Sequence, residues 1–213
     1  MFAYCGNNPI NSTDPNGFSW VSRIIEKITT KVKEHATKVV TICNKPWRDS
    51  AQTAADKLAK RNHCFSRQID ACTDSFADVW ENAKEQYMLL QMHGSPNALS
   101  GDGFSYSLSD AESLKQNDNI LLIIMTSCRS GGNNGSSPNM GQVLSTKINP
   151  YGFLICSTTT VSGNYDHYTA LDGGQWNVYQ NGRFLTTIMS DTIKMETVQT
   201  QLFRSLLNVF SSQ

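Results

Sequence analysis

The sequence predicts an α/β fold: a three-layer α/β/α sandwich with a mostly parallel sheet, preceded by a helical N-terminal region. Two apolar runs without polar alternation, residues 87–92 (YMLLQM) and 120–125 (ILLIIM), read as strands covered on both faces. Helix-forming segments alternate with them, and a third strand-like run follows at residues 151–161. Hydrophobic residues make up 39% of the 213, which permits a real core and excludes a wholly disordered chain.

Taken in order, residues 1–18 are a cluster of turn formers, with Asn7, Asn8, Pro9, Asn11, Ser12, Asp14, Pro15, Asn16 and Gly17 together. Residues 19–86 read as helical. Trp20, Ile24, Ile25, Ile28 and Val32 recur at helical spacing behind a Ser19 or Ser22 cap. Pro46 breaks the pattern, and residues 51–60 are rich in strong helix formers. Residues 66–86 place Ile69, Cys72, Phe76, Val79 and Trp80 on one face of a third helix. No catalytic motif falls in this region, so packing or docking to a carrier is its expected role. Beyond it, residues 87–213 form the α/β unit. Ser109 and Glu112 stand at capping-box spacing for a helix between the first two strands. Residues 141–148 supply a crossover helix. Residues 175–185 read as a hairpin turning at Asn181-Gly182, and residues 192–210 as a closing amphipathic helix.

Composition removes several function classes. Eighteen basic residues balance eighteen acidic ones, so no overall field draws the chain to nucleic acid or to an anionic membrane. The longest apolar run is far short of the roughly 20 residues of a membrane span. The first residues lack the charged and apolar regions of a secretory signal. The six cysteines include no CxxC pair, and His63, Cys64 and Cys72 are the only cluster, so neither a metal nor another cofactor is expected.

In an open parallel sheet, reactive groups gather at the carboxyl ends of the strands. The first strand runs into His93-Gly94-Ser95, the second into Thr126-Ser127-Cys128-Arg129. Alone, His93 reads as a structural histidine and Cys128 as a core thiol. Together, at the ends of neighbouring strands, they read as a nucleophile and its proton acceptor, because a cysteine attacks as thiolate and an imidazole can take its proton. Gly94, lacking a Cβ, lets its backbone N–H approach a developing oxyanion, with the Cys128 N–H as second donor.

These residues resemble the caspase-like cysteine peptidases of clan CD, whose signature is an apolar strand followed by His-Gly and a second followed by a small residue and Cys. Here those are YMLLQMHG and ILLIIMTSC, and the continuation Cys128 to Gly131 is similar to the metacaspase branch. Thr126 departs from that branch, which commonly has Asp there. The resemblance covers residues 87 to about 165 and implies a Cys128–His93 dyad with Gly94 and Cys128 as oxyanion donors. It also implies a substrate pocket built partly after the third strand, where Ser157, Asp166, Asp172 and Trp176 are candidates. Asp166 or Asp172 would select a basic P1 residue; Arg129 or Arg183 would select an acidic one. Asp102 is a further candidate near His93, and His167 a fallback base.

The opening segment resembles the end of the core in the Rhs/YD-repeat family of bacterial polymorphic toxins. It carries YCGNNP at residues 4–9 and then Pro9, Asp14, Pro15, Gly17 and an apolar Phe18, where the family usually has Leu. The resemblance implies cleavage after residue 18 and an effector that begins near Ser19. The effector would be secreted as part of a larger toxin and cleave protein substrates in the recipient-cell cytosol. An Rhs carrier core and a cognate immunity protein would be its partners. A self-processing protease that releases itself from its carrier, and a non-catalytic target-binding module, are the alternatives. A deamidase or other acyl transfer at the same dyad is a narrower one.

Overall fold

The computed structural model describes residues 37–71 and 73–211. The boundary pattern at residues 4–18, the expected helix through Trp20 and Val32, Cys5 and Cys72 lie outside the described residues.

The centre is a seven-stranded mixed sheet, mostly parallel. Its strands are β1 (Thr37–Cys43), β2 (Phe65–Asp70), β3 (Tyr87–Gln91), β7 (Leu122–Met125), β8 (Phe153–Ser157), β11 (Trp176–Gln180) and β12 (Arg183–Ile188), in the spatial order β12-β11-β8-β7-β3-β1-β2. Strands β1, β3, β7 and β8 run parallel, whereas β11 pairs antiparallel with both β8 and β12. Two small antiparallel sheets sit on its carboxyl side. One is the meander β4 (His93–Ser95), β5 (Ala98–Gly101) and β6 (Phe104–Ser107); the other joins β9 (Val161–Asn164), β10 (His167–Ala170) and β13 (Thr192–Lys194).

Alternation along each strand sends neighbouring side chains to opposite faces, and both faces are covered. Ile42, Met88, Leu90, Ile123, Met125 and Leu154 pack with α2 (Thr73–Asn82), α3 (Leu108–Ser113) and α4 (Met140–Ser145) through Phe76, Trp80, Ala111 and Leu144. Val39, Leu89, Ile124, Ile155, Trp176 and Val178 pack on the other face with α1 (Arg48–Arg61) and α5 (Val198–Ser211) through Ala55, Leu58, Val198 and Leu202. Continuous apolar runs are what such a doubly covered strand requires, since each fully buried aliphatic side chain contributes about 1.5–3 kcal/mol.

The expected helical region at residues 19–86 is borne out in part over its described residues, where Arg48–Arg61 and Thr73–Asn82 are helices. It is corrected at residues 37–43 and 65–70, which are strands of the same central sheet, so residues 37–86 and the α/β unit share one sheet. Strand β1 is buried along Val39 to Cys43 because it lies inside the sheet, between β3 and β2. The break at Pro46 is real, a single 3-10 turn at Lys45–Trp47 that leads into α1. Helix α3 is capped two residues earlier than expected, by Ser107 and Asp110 in place of Ser109 and Glu112. The closing segment is also divided: residues 192–194 are strand and the helix begins at Val198. The Asn181-Gly182 hairpin stands as expected, with φ of 47° and 77°, the left-handed values a type I′ turn demands.

Candidate active site

The sheet order creates the site. Going from β1 to β3 the order reverses direction, the switch point at which open α/β sheets form their crevice. Strands β3 and β7 are parallel neighbours in register, Leu90 opposite Met125, so their carboxyl ends deliver His93 and Cys128 to one rim. A cavity of about 370 Å³ opens there and both residues line it. Its walls come from four strand ends: Trp47 and Ser50 after β1, Gln91 and Met92 at the end of β3, Thr126 after β7, and Val161, Gly163 and Tyr168 after β8.

The two halves of the motif touch through backbone. A Cβ built on Gly94 would lie 2.7 Å from the Ser127 Cβ and 2.9 Å from the Cys128 carbonyl oxygen. Only glycine permits this approach, so the His-Gly pair and the Ser-Cys pair are in direct contact. The Cys128 thiol is half-buried and its Sγ accepts a 3.4 Å hydrogen bond from the Val161 N–H. The Cys128 N–H itself meets no acceptor among the described residues. His93 is exposed, and its ring meets Trp47 edge to face with centroids 4.8 Å apart, which limits its swing.

Behind the cysteine, residues 129–132 form a turn with Arg129 at a φ of 54°. Arg129 N–H donates to Thr159 O and Gly131 N–H to Ser157 O, both at 2.8 Å, which ties the turn to the end of β8. Side chains hold its other side. Asn177 Nδ2 and the Tyr179 hydroxyl donate to Gly131 O at 3.2 and 3.3 Å, and Asn139 Nδ2 donates to Gly132 O at 3.1 Å. The Tyr179 oxygen also accepts from both asparagines, at 3.0 and 3.1 Å. Asn139 caps α4 as well, in a reciprocal box with Gln142. Beneath the turn lies Cys156, fully buried; burial pushes its thiol well above the ordinary cysteine value, which makes it inert.

The candidate substrate residues divide differently. Ser157 is buried and donates its hydroxyl to Thr159 O. Trp176 is wholly buried in the core, its indole N–H bonded to Asp191 O at 2.7 Å. Asp166 pairs with Lys57 at 2.6 Å and with His167 at 3.0 Å; these partners, Lys57 first, hold its carboxyl below the usual aspartate range. Asp172 is exposed at a turn with a φ of 54°, Asp102 occupies the exposed turn between β5 and β6, and Arg183 is exposed on the edge strand β12. None of these residues lines the cavity that holds His93 and Cys128. Sequence reasoning missed Trp47, Gln91 and Tyr168 as its walls and Asn139, Asn177 and Tyr179 as supports of the turn. Of these only Asn139 left a local signal, the Asn-x-x-Gln spacing of a capping box.

Among the described residues there is no group of three or more potential metal ligands and no helix long and apolar enough to cross a membrane. No family model and no curated protein matches the chain. Among solved structures it is similar to one described as a protease, at 16% identity and a TM-score of 0.41, over 66% of this chain and 34% of that chain. The chain thus spans about a third of the length of the structure it matches.

Proposed function

We propose that the protein is a caspase-like cysteine endopeptidase, the C-terminal effector of an Rhs-type polymorphic toxin. The observation that carries the peptidase reading is the backbone contact of Gly94 with Ser127 and Cys128 at the ends of two parallel strands, beside one shared cavity. The order of elements, His-Gly just after one central strand and Cys just after its neighbour, is that of the clan CD resemblance. The toxin context rests on residues 4–18, with an Rhs carrier, a protein substrate and an immunity protein as its partners.

In this reading His93 takes the proton of Cys128, and the thiolate sulfur attacks the scissile carbonyl carbon. The carbonyl oxygen gains the negative charge and is met by the Cys128 and Gly94 N–H groups. As the C–N bond breaks, the imidazolium gives its proton to the leaving amine. Water, deprotonated by the same imidazole, then attacks the thioester; the C–S bond breaks, releasing the acid and restoring the thiol.

The test compares wild type with Cys128→Ala and His93→Ala on a protein or peptide substrate. Each substitution is expected to lower kcat/KM by roughly 10³-fold or more, while thermal unfolding stays near that of wild type. Iodoacetamide is expected to alkylate Cys128 and spare Cys156 in the folded protein. Full activity, or full toxicity on expression, in the Cys128→Ala variant would end this reading.

A further inference from the structure

An acidic or a basic side chain is the expected reader of the P1 residue, and apart from the imidazole of His93 the described residues place neither on the cavity beside Cys128. Among the described residues its boundary contains no Asp, Glu, Lys or Arg. Of the charged groups near these residues in the chain, Asp49 is exposed and does not line the cavity, and two others are already paired. Arg48, next to Trp47, is bound through both Nε and its terminal nitrogen to Asp70. Asp166, on the hairpin that supplies Val161 and Gly163, is held by Lys57 and His167. Arg129 follows Cys128 but is exposed and directed by a left-handed backbone turn, outside the cavity boundary.

Apart from His93 and Cys128, the polar side chains on the cavity are already hydrogen-bonded. Gln91 donates through Nε2 to the Tyr168 hydroxyl, Thr126 donates to Leu90 O at 3.4 Å, and Ser50 accepts the Tyr165 N–H at 2.8 Å. Met92, Val161 and the Trp47 ring supply apolar wall. A charge moved from water into such a space without a partner loses several kcal/mol of hydration, whereas an aliphatic or aromatic side chain gains from burial.

We propose that this cavity is the P1 pocket and that the enzyme selects an uncharged, apolar P1 side chain of the leucine, methionine or phenylalanine class. The inference rests on the cysteine-peptidase reading. Thr126, on the cavity wall two residues before the cysteine, carries no charge of either sign.

The experiment is a peptide series differing only at P1 (Leu, Met, Phe, Asp, Arg and Lys), cleaved by wild type and by Cys128→Ala. The expected result is Cys128-dependent cleavage with kcat/KM for the best apolar P1 at least ~100-fold above Asp, Arg and Lys, the scale of an uncompensated buried charge. Cys128-dependent cleavage that favours a charged P1 overturns this inference and leaves the peptidase reading standing. Absence of any Cys128-dependent cleavage, with Cys128 still alkylated by iodoacetamide, overturns both. A second variant, Thr126→Asp, is expected to raise the ratio of Arg to Leu cleavage by ~10-fold or more; an unchanged ratio would place the P1 side chain elsewhere.

Discussion

The turn after β7 has two unlike sides. On the cavity side, among the described residues, the Cys128 sulfur is bonded to the Val161 N–H alone and the His93 ring packs on Trp47. On the opposite side, Asn139, Asn177 and Tyr179 form a closed network on Gly131 O and Gly132 O, with Asn139 and Tyr179 buried. Burial also pushes the Tyr179 phenol above its ordinary value, so it remains a donor at any physiological pH. The rear face holds the turn through a side-chain network that itself borders a cavity of about 550 Å³, whereas the front face leaves the sulfur and the imidazole with few partners. A reactive group needs both, since its geometry must be set by neighbours that do not themselves occupy the reaction space.

The largest effect is expected at the seam where front and rear meet. Gly94→Ala would set a Cβ against Ser127, which is fully buried, and against the Cys128 carbonyl. Neither neighbour is the end of a flexible side chain, so the backbone must shift. The overpacking is expected to cost about 1–3 kcal/mol of stability. Displacing His93 from Cys128 is expected to cost ~10²-fold in kcat/KM. Calorimetry and peptide kinetics on the same preparation check both. An alanine variant that melts and cleaves like wild type would mean the apposition is looser than described.

A smaller effect tests the rear face alone. Tyr179→Phe keeps the ring in the core but removes the hydroxyl that joins Asn139, Asn177 and Gly131 O. Leaving those buried groups short of a partner is expected to destabilise the fold by about 1–3 kcal/mol. If the network also positions the cysteine, kcat is expected to fall by ~10-fold with KM little changed. A purely structural network would lower the melting temperature and leave kcat intact, so the two readouts separate the roles.

The two sides were also unequally legible in the sequence. The reactive pair was readable because each member ends an uninterrupted apolar run, and a parallel sheet carries function at those ends. The rear network was not, because Gly131, Asn139, Asn177 and Tyr179 come together only when β11 pairs antiparallel with β8. The cavity walls were hidden for a similar reason. Trp47 and Tyr168 are far apart in the chain and meet at one crevice through the sheet order, which no local pattern records. Strand β1 was read as helix because TKVVTIC is short and follows a helical apolar periodicity; a run of that length does not by itself distinguish strand from buried helix. Strand β2 overlaps the expected helix of residues 66–86, because its side chains are only partly buried or exposed and FSRQID carries little strand alternation to set against the helical spacing that begins at Ile69.

The least of these effects concerns the front hairpin, where Asp166 ties the turn between β9 and β10 to Lys57 of α1. The pair is partly exposed, so solvent and salt screen it and its contribution is small. Its sign is nevertheless fixed. Lys57, and after it His167, hold the Asp166 carboxyl below its ordinary value, so the stabilisation is present above the unfolded aspartate value near pH 4 and disappears as pH falls through the lower folded one. Asp166→Asn is therefore expected to melt slightly below wild type at neutral pH, with the gap narrowing in added salt and closing in acid below about pH 4. The same variant also bears on specificity. Because Asp166 does not line the cavity, its loss is expected to leave the ratio of Leu to Arg cleavage unchanged, whereas Thr126→Asp should move it. A fall in Arg cleavage on removing Asp166 would show that this carboxylate, despite its lysine partner, reads the substrate.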